Sequence, residues 1–173
     1  VVVVQHMPDE FVIGLARWLN KVAPLPVEIA RHNTILKPGV VYLSPGNAHL
    51  AVIRQGKQLA AKLIAEMGDY RYQPAVDVLF QSVAAACGAG AIGLVLTGMG
   101  DDGAAGLLAM RQAGGRTFAQ DQASCTVFGM PAAAIERGAV ERVLALTRLP
   151  GAVRRLVGNP DSWTGQESGQ PVK

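Results

Sequence analysis

Apolar and amphipathic segments alternate along the first third of the chain. The run Val1–Gln5 predicts a buried strand, because β-branched residues are typical of strands. A helix is predicted from Pro8 or Asp9, and Val27–Ala30 predicts a second strand. The apolar residues of that helix recur at helical spacing and are expected to face the core: Phe11, Leu15, Trp18, Leu19 and Val22.

The next segment predicts an antiparallel hairpin. Val40–Leu43 and Leu50–Arg54 are both apolar, and Ser44-Pro45-Gly46-Asn47 between them is a turn signal. Leu59–Ala65 fits a strand or a helix, and its pattern favours a strand.

From Pro74 onward, the pattern is that of an α/β protein. The apolar strand Ala91–Leu96 is of the kind buried on both faces of a parallel sheet. A glycine-rich turn, Thr97–Gly103, leads into a helix from Ala104 to about Ala113, which Gly114-Gly115 ends. The other predicted elements are a helix with Val76, Leu79, Phe80, Val83 and Cys87 on one face, a strand at Thr117–Gln120, short helices around Cys125 and at Ala132–Arg137, a strand near Val140–Val143 and a helix from about Pro150.

Together these elements predict an α/β fold: a doubly wound, mainly parallel sheet with helices on both faces, plus an antiparallel β-hairpin. We expect residues 1–158 to form one domain and the polar residues 159–173 to form a tail.

Composition narrows the function classes. Of 173 residues, 50% are hydrophobic, and 16 basic against 13 acidic residues give a net charge of +3. The basic residues form no cluster longer than a pair and aromatic residues are few, so no nucleic-acid partner is expected.

The uncharged stretch Val78–Gly100 is long enough to be considered as a membrane span, but its glycines favour a buried segment of a cytoplasmic protein, with no membrane insertion. Cys87 and Cys125 lie among apolar residues and predict buried, reduced thiols. No cluster of His, Cys and Asp has metal-ligand spacing, so no metal site is expected.

Two side chains are predicted to meet at one edge of the sheet. His6 follows the first strand, and Asp102 follows strand Ala91–Leu96 by one tight turn. Because ligands bind at the carboxyl ends of parallel strands, this edge is the expected site. An imidazole with a carboxylate partner suits a general base and the group that orients it. Each residue also has an ordinary interpretation, His6 as a polar residue after a strand and Asp102 as a helix N-cap.

The same turn offers a competing interpretation. Gly98-Met99-Gly100-Asp101-Asp102-Gly103 fits the G-x-G-x-x-G pattern of dinucleotide-binding folds, and Asp121 stands near the place of the ribose-binding acid. Asp101 and Asp102 would, however, repel an approaching pyrophosphate. We therefore treat a dinucleotide-binding domain as the weaker alternative.

Four sequence blocks resemble the catalytic domain of the chemotaxis protein-glutamate methylesterases, the CheB family. Their order along the chain also matches, over about residues 1–157. The blocks are Gln5-His6-Met7-Pro8, Val76-Asp77-Val78-Leu79-Phe80, the turn from Leu96 through Gly106, and Ala123-Ser124-Cys125-Thr126-Val127-Phe128-Gly129-Met130-Pro131.

The resemblance implies hydrolysis of glutamyl methyl esters on chemoreceptor helices, with deamidation of receptor glutamines as a second activity. It implies a Ser-His-Asp triad on a doubly wound fold, with no cofactor. His6 then corresponds to the triad histidine and Asp102 to the triad aspartate. Met99 corresponds to the residue whose backbone N–H helps form the oxyanion hole. The side chain of Met99 on its own fits a gap-filling role beside the turn.

The chain departs from the family pattern in three places. The nucleophile of the family lies in a Gly-x-Ser-x-Gly-Gly turn before the strand that carries the histidine, so we expect that serine upstream of Val1 and expect these residues alone to be inactive. A regulatory receiver domain would likewise lie outside this chain. Where the family has a more basic segment with a histidine, this chain has Tyr70-Arg71-Tyr72-Gln73-Pro74-Ala75.

The remaining serines and histidines offer no better nucleophile or base. No serine of this chain lies in a strand-to-helix elbow; the five are Ser44, Ser82, Ser124, Ser162 and Ser168. His32 and His49 fall in loop-like contexts and are expected to be solvated. The alternative to an enzyme is a binding module that lacks the nucleophile and docks on receptor helices.

Overall fold

The computed structural model describes residues 1–158 in two compact units, Val1–Ala86 and a second that begins at Cys87. The tail predicted for residues 159–173 lies outside the described residues. That residues 1–158 act as a single catalytic domain stays a prediction.

The first unit contains a parallel sheet and an antiparallel pair. Its three-stranded sheet has the order β1-β3-β2, with both pairings parallel. Helix α1 packs on this sheet through a core of Val12, Ala16, Val27 and Leu43. The elements are β1 (Val2–Val3), α1 (Asp9–Val22), β2 (Val27–Ile29), β3 (Val41–Leu43), β4 (His49–Gln55), β5 (Gln58–Ile64) and α2 (Val76–Cys87).

The second unit is a parallel sheet with helices on both faces. Its strands have the order β6-β7-β8. Gly93 faces α3, where an added Cβ would lie 2.6 Å from Leu107 Cδ1. Ile92 and Leu94 alternate to the other face and pack with Phe118 and the α5 core. The elements are β6 (Ile92–Val95), α3 (Ala104–Gln112), β7 (Arg116–Gln120), α4 (Met130–Glu136), β8 (Arg142–Leu144) and α5 (Leu149–Gly158).

The predicted fold class is confirmed: the sheets are mainly parallel, helices cover them, and one strand pair is antiparallel. Among residues 1–158, no helix is both long and apolar enough to cross a membrane. Cys87 and Cys125 form no disulfide, as predicted, but both are half-buried rather than fully buried.

The predicted hairpin is wrong in its pairing. Val41–Leu43 is the central strand of the parallel sheet, and Leu50–Arg54 belongs to β4, which pairs with β5 instead. The two-residue turn at Gly56-Lys57, with φ +60° at Gly56, is the tighter hairpin connection. The Ser44–Asn47 turn has a different role, because the Gly46 N–H donates to Asp9 Oδ1 and ties β3 to the start of α1.

The predicted core face of α1 is wrong in part. Leu15 and Leu19 do pack against the sheet. Phe11, Trp18 and Val22 are exposed, at 58%, 58% and 60% of their surface. The short residues Val12 and Ala16 face the strands instead. Helix α1 has two adjoining rows of apolar residues, and helical periodicity alone does not show which row faces the sheet.

Candidate active site

In the turn between β6 and α3, one predicted site residue is exposed and another is buried. The Met99 side chain is 79% exposed, whereas Asp102 is only 6% exposed. Gly100 and Gly103 both have φ +92°, a conformation that favours glycine. The glycines of this turn therefore meet a backbone requirement and do not by themselves indicate phosphate binding.

This turn packs directly against the Phe-Gly-Met-Pro block. The Gly98 carbonyl accepts hydrogen bonds from the N–H groups of Gly129 (3.0 Å) and Met130 (2.8 Å). A Cβ on Gly129 would lie 2.8 Å from the Gly98 oxygen and 3.1 Å from Met99 Cα. A Cβ on Gly98 would meet the Met130 sulfur. The two most distinctive sequence blocks are thus one packed unit that fixes the backbone around Met99.

Replacing Gly129 by alanine tests this packing. The backbone of Gly129 is right-handed, with φ −90°, so alanine is not strained there and the cost is steric. We expect a loss of about 1–3 kcal/mol in the free energy of unfolding.

Gly151→Ala is the matched control, since nothing lies within 4 Å of a Cβ at that helical position. It should raise the free energy of unfolding by about 0.5–1 kcal/mol. Chemical denaturation of both variants measures the difference. If Gly129→Ala were as stable as Gly151→Ala, Gly129 would not be closely packed against Gly98 and Met99.

Asp102 is not the N-cap of α3. The N-cap position is held by Gly103, and no side chain caps the helix. The neighbouring carboxylate of Asp101 is exposed, while that of Asp102 is buried. Burying a carboxylate is costly, so a specific role for Asp102 is favoured over the ordinary capping interpretation.

His6 lies in the first unit, on the connection from β1 to α1. It is half-buried, and its imidazole stacks on the ring of Tyr72, with centroids 4.8 Å apart and planes 24° apart. The next residue, Met7, packs against the α1 core. The pairing of His6 with Asp102 stays a prediction.

The prediction that His49 is solvated is wrong, whereas His32 is exposed as expected. His49 is 1% exposed and opens β4. Its Nδ1 accepts the N–H of Ala75 (3.0 Å), so its Nε2 carries the proton and donates to the Met67 carbonyl (3.2 Å). His49 is therefore an internal anchor for the segment Met67–Ala75. The sequence did contain a signal for this burial, because His49 directly precedes the apolar strand Leu50–Arg54.

Replacing His49 by alanine leaves the buried N–H of Ala75 without its acceptor. We expect a loss of about 1–3 kcal/mol in the free energy of unfolding. His32 is the control, because its Nδ1 also accepts a backbone N–H, that of Leu63 at 3.2 Å, but at an exposed position where water can replace it. His32→Ala should therefore cost less than about 1 kcal/mol. Urea denaturation followed by circular dichroism makes the comparison. If His49→Ala were as stable as His32→Ala, His49 would not be an anchor.

Each serine in the described part of the chain already has a structural role. Ser44 is buried, and its hydroxyl lies 3.0 Å from the Pro45 carbonyl. Ser82 sits in α2, where its oxygen accepts the N–H of Val52 and its proton goes to Leu79. Ser124 donates to Asp121 and accepts the N–H of Leu146. None of the three is presented as a nucleophile, while Ser162 and Ser168 lie outside the described residues.

Interactions within their own segment also explain the positions of Asp121 and Cys125. Asp121 accepts both the N–H and the hydroxyl of Ser124, capping a short 3-10 turn, and this role does not need a ribose. Burial raises the pKa of the Cys125 thiol, with Asp121 acting in the same direction and a hydrogen bond with Thr97 opposing it. Cys125 is thus a neutral thiol rather than a reactive thiolate at pH 7. Within residues 1–158, no group of three or more His, Cys, Asp or Glu is placed to hold a metal ion.

Comparisons with known proteins agree on one family. The sequence pattern of the family described as CheB methylesterase matches residues 1–153. Two similar curated proteins are both named protein-glutamate methylesterase/protein-glutamine glutaminase 1. The one from Geobacter metallireducens is 46% identical over 91% of this chain and 43% of its own length. The one from Xanthomonas oryzae is 48% identical over 91% of this chain and 44% of its own length. The chain thus spans less than half the length of these relatives.

A solved structure is similar over most of both chains. The crystal structure of the Thermotoga maritima CheB methylesterase catalytic domain superposes with a TM-score of 0.86 at 36% sequence identity. The match covers 90% of this chain and 82% of that domain.

Proposed function

Since the chain belongs to the CheB methylesterase family, we propose that it is most of the catalytic domain of a cytoplasmic protein-glutamate methylesterase. Its substrates are methylated glutamates on the cytoplasmic helices of chemoreceptors, and deamidation of receptor glutamines is a second activity of the same site. The observation that carries the proposal is the packed pair of glycine blocks around Met99, with the buried Asp102 in the same turn.

The chemistry is acyl transfer through a serine. The serine oxygen attacks the ester carbonyl, and His6 takes the serine proton as this bond forms. Asp102 holds the His6 tautomer and stabilises the imidazolium. The backbone N–H of Met99 donates to the oxyanion that develops on the carbonyl oxygen. When the tetrahedral intermediate collapses, the C–O bond to the methoxy group breaks, and His6 gives its proton to the leaving methanol.

The second half of the reaction repeats these roles with water. His6 takes a proton from water, whose oxygen attacks the acyl-enzyme, and the serine leaves with that proton. The products are a glutamate carboxylate and methanol. No step needs a redox partner or a metal ion.

We place the nucleophilic serine on a segment that precedes Val1. Support comes from the structural hydrogen bonds of Ser44, Ser82 and Ser124, which leave none of them presented in a strand-to-helix turn. A receiver domain on the same polypeptide is the proposed regulatory partner. The 173 residues alone are then inactive.

Methanol release from methylated receptor fragments tests the proposal. The full gene product containing these residues should release methanol and leave glutamate. The isolated 173-residue chain, shown to be folded by circular dichroism, should release none above the buffer rate. Turnover by the isolated chain would contradict the upstream serine. Receptor binding by a full product that has no turnover would favour a nucleophile-less binding module instead.

A further inference from the structure

We propose that Tyr72 is a positioning residue for His6, whose stacked ring holds the imidazole in orientation during turnover. This inference rests on the proposed function, because it assigns His6 the role of general base. The two ring centroids are 4.8 Å apart and the planes diverge by 24°. Tyr72 lies in the segment Tyr70-Arg71-Tyr72-Gln73-Pro74-Ala75, which closes against the connection that carries His6.

The backbone on both sides of His6 is fixed, which leaves side-chain rotation as its main freedom. Before it, β1 pairs with β3, where Val3 faces Leu43. After it, Met7 packs against the α1 core. The orientation of the His6 ring depends on two side-chain torsions. A flat ring against one face of the imidazole restricts both torsions.

Tyr72 can provide that flat surface because its own segment is tethered. Immediately after it, the side chain of Gln73 donates to the Ala65 carbonyl at 2.8 Å. Pro74 is fully buried, and the N–H of Ala75 donates to His49 Nδ1. His49 therefore stabilises the segment that carries Tyr72, because its ring binds the backbone of Met67 before Tyr72 and that of Ala75 after it.

The stacked ring of Tyr72 also faces the imidazolium that forms on His6 during the proposed reaction. The face of a tyrosine ring is electrically negative, and a cation held over it is attracted. His6 becomes an imidazolium only when it has taken the serine or water proton. The interaction therefore strengthens on the way to the transition state, and its loss should lower kcat and leave KM nearly unchanged.

Two substitutions in the full gene product separate the ring from the hydroxyl. Tyr72→Phe keeps the aromatic face, and its kcat should stay within about twofold of the unsubstituted protein. Tyr72→Leu keeps apolar bulk but removes the face, and should lower kcat by about three- to thirtyfold. A Leu variant with unchanged kcat, or one whose loss appears in KM alone, would overturn the positioning role.

Nuclear magnetic resonance tests the contact without turnover. With histidine selectively labelled, the ring protons of His6 should be displaced upfield by the Tyr72 ring current and show a nuclear Overhauser effect to it. The displacement should persist in Tyr72→Phe and vanish in Tyr72→Leu. Its absence from the unsubstituted protein would overturn the contact, whether or not the variants fold. If the proposed function itself is wrong, the unsubstituted protein releases no methanol. That result differs from a failed Tyr72 contact, which appears in the spectra, and from a failed positioning role, which appears in the kcat of the Leu variant.

Discussion

Replacing His6 by alanine in the full gene product is expected to lower methanol release by about a thousandfold or more. The serine hydroxyl loses the base that takes its proton, and the leaving methanol loses its proton donor. Binding of the receptor fragment should change little, because the oxyanion donors and the receptor-facing surface remain. The loss should therefore appear in kcat, measured as methanol released per enzyme under saturating substrate.

The control is His32→Ala, which removes an exposed histidine from the same unit. It should turn over at the rate of the unsubstituted protein. Circular dichroism of His6→Ala should match as well, since His6 is only half-buried. Turnover of folded His6→Ala within about tenfold of normal would show that His6 is not the base.

Asp102→Asn is expected to lower kcat by about ten-thousandfold while leaving the fold intact. An asparagine matches the aspartate in shape, but its amide is neutral and presents a donor where the histidine needs an acceptor. The imidazole would then be held in the wrong tautomer, and the imidazolium would lose its stabilising charge. Single-turnover kinetics on methylated receptor fragments would record the loss in the chemical step.

The adjacent residue provides an internal control for this prediction. Asp101 has the same charge and lies one position away, but its side chain is exposed whereas that of Asp102 is buried. Asp101→Asn should keep kcat within about threefold, since exposed charges interact weakly with a site. Equal losses in the two variants would point to the net charge of the turn rather than to an Asp102–His6 pair.

Much of the fold could be predicted from the chain because its signals were local. The helix start at Asp9, the strand before Thr97 and the helix stop at Gly114-Gly115 follow from the proline at the helix start, an apolar run and glycine conformation. The resemblance to the methylesterase family came from the same segments, because the turn at Met99 and the block at Gly129 are short, contiguous motifs.

The errors arose where partners distant in sequence decide the outcome. Strand β3 pairs with β1 and β2 rather than with its neighbour β4, and nothing within Val41–Leu43 specifies those partners. His49 is buried because the segment ending at Ala75 folds over it. The sequence also did not predict that Gly129 lies close to Met99, because a glycine on its own indicates only a turn.

The coding sequence immediately before the Val1 codon tests the central claim most directly, namely that His6 and Asp102 serve a serine supplied from upstream. The account predicts a strand followed by a Gly-x-Ser-x-Gly-Gly turn in the same reading frame. An initiation codon at or beside Val1, with no such serine, would contradict it.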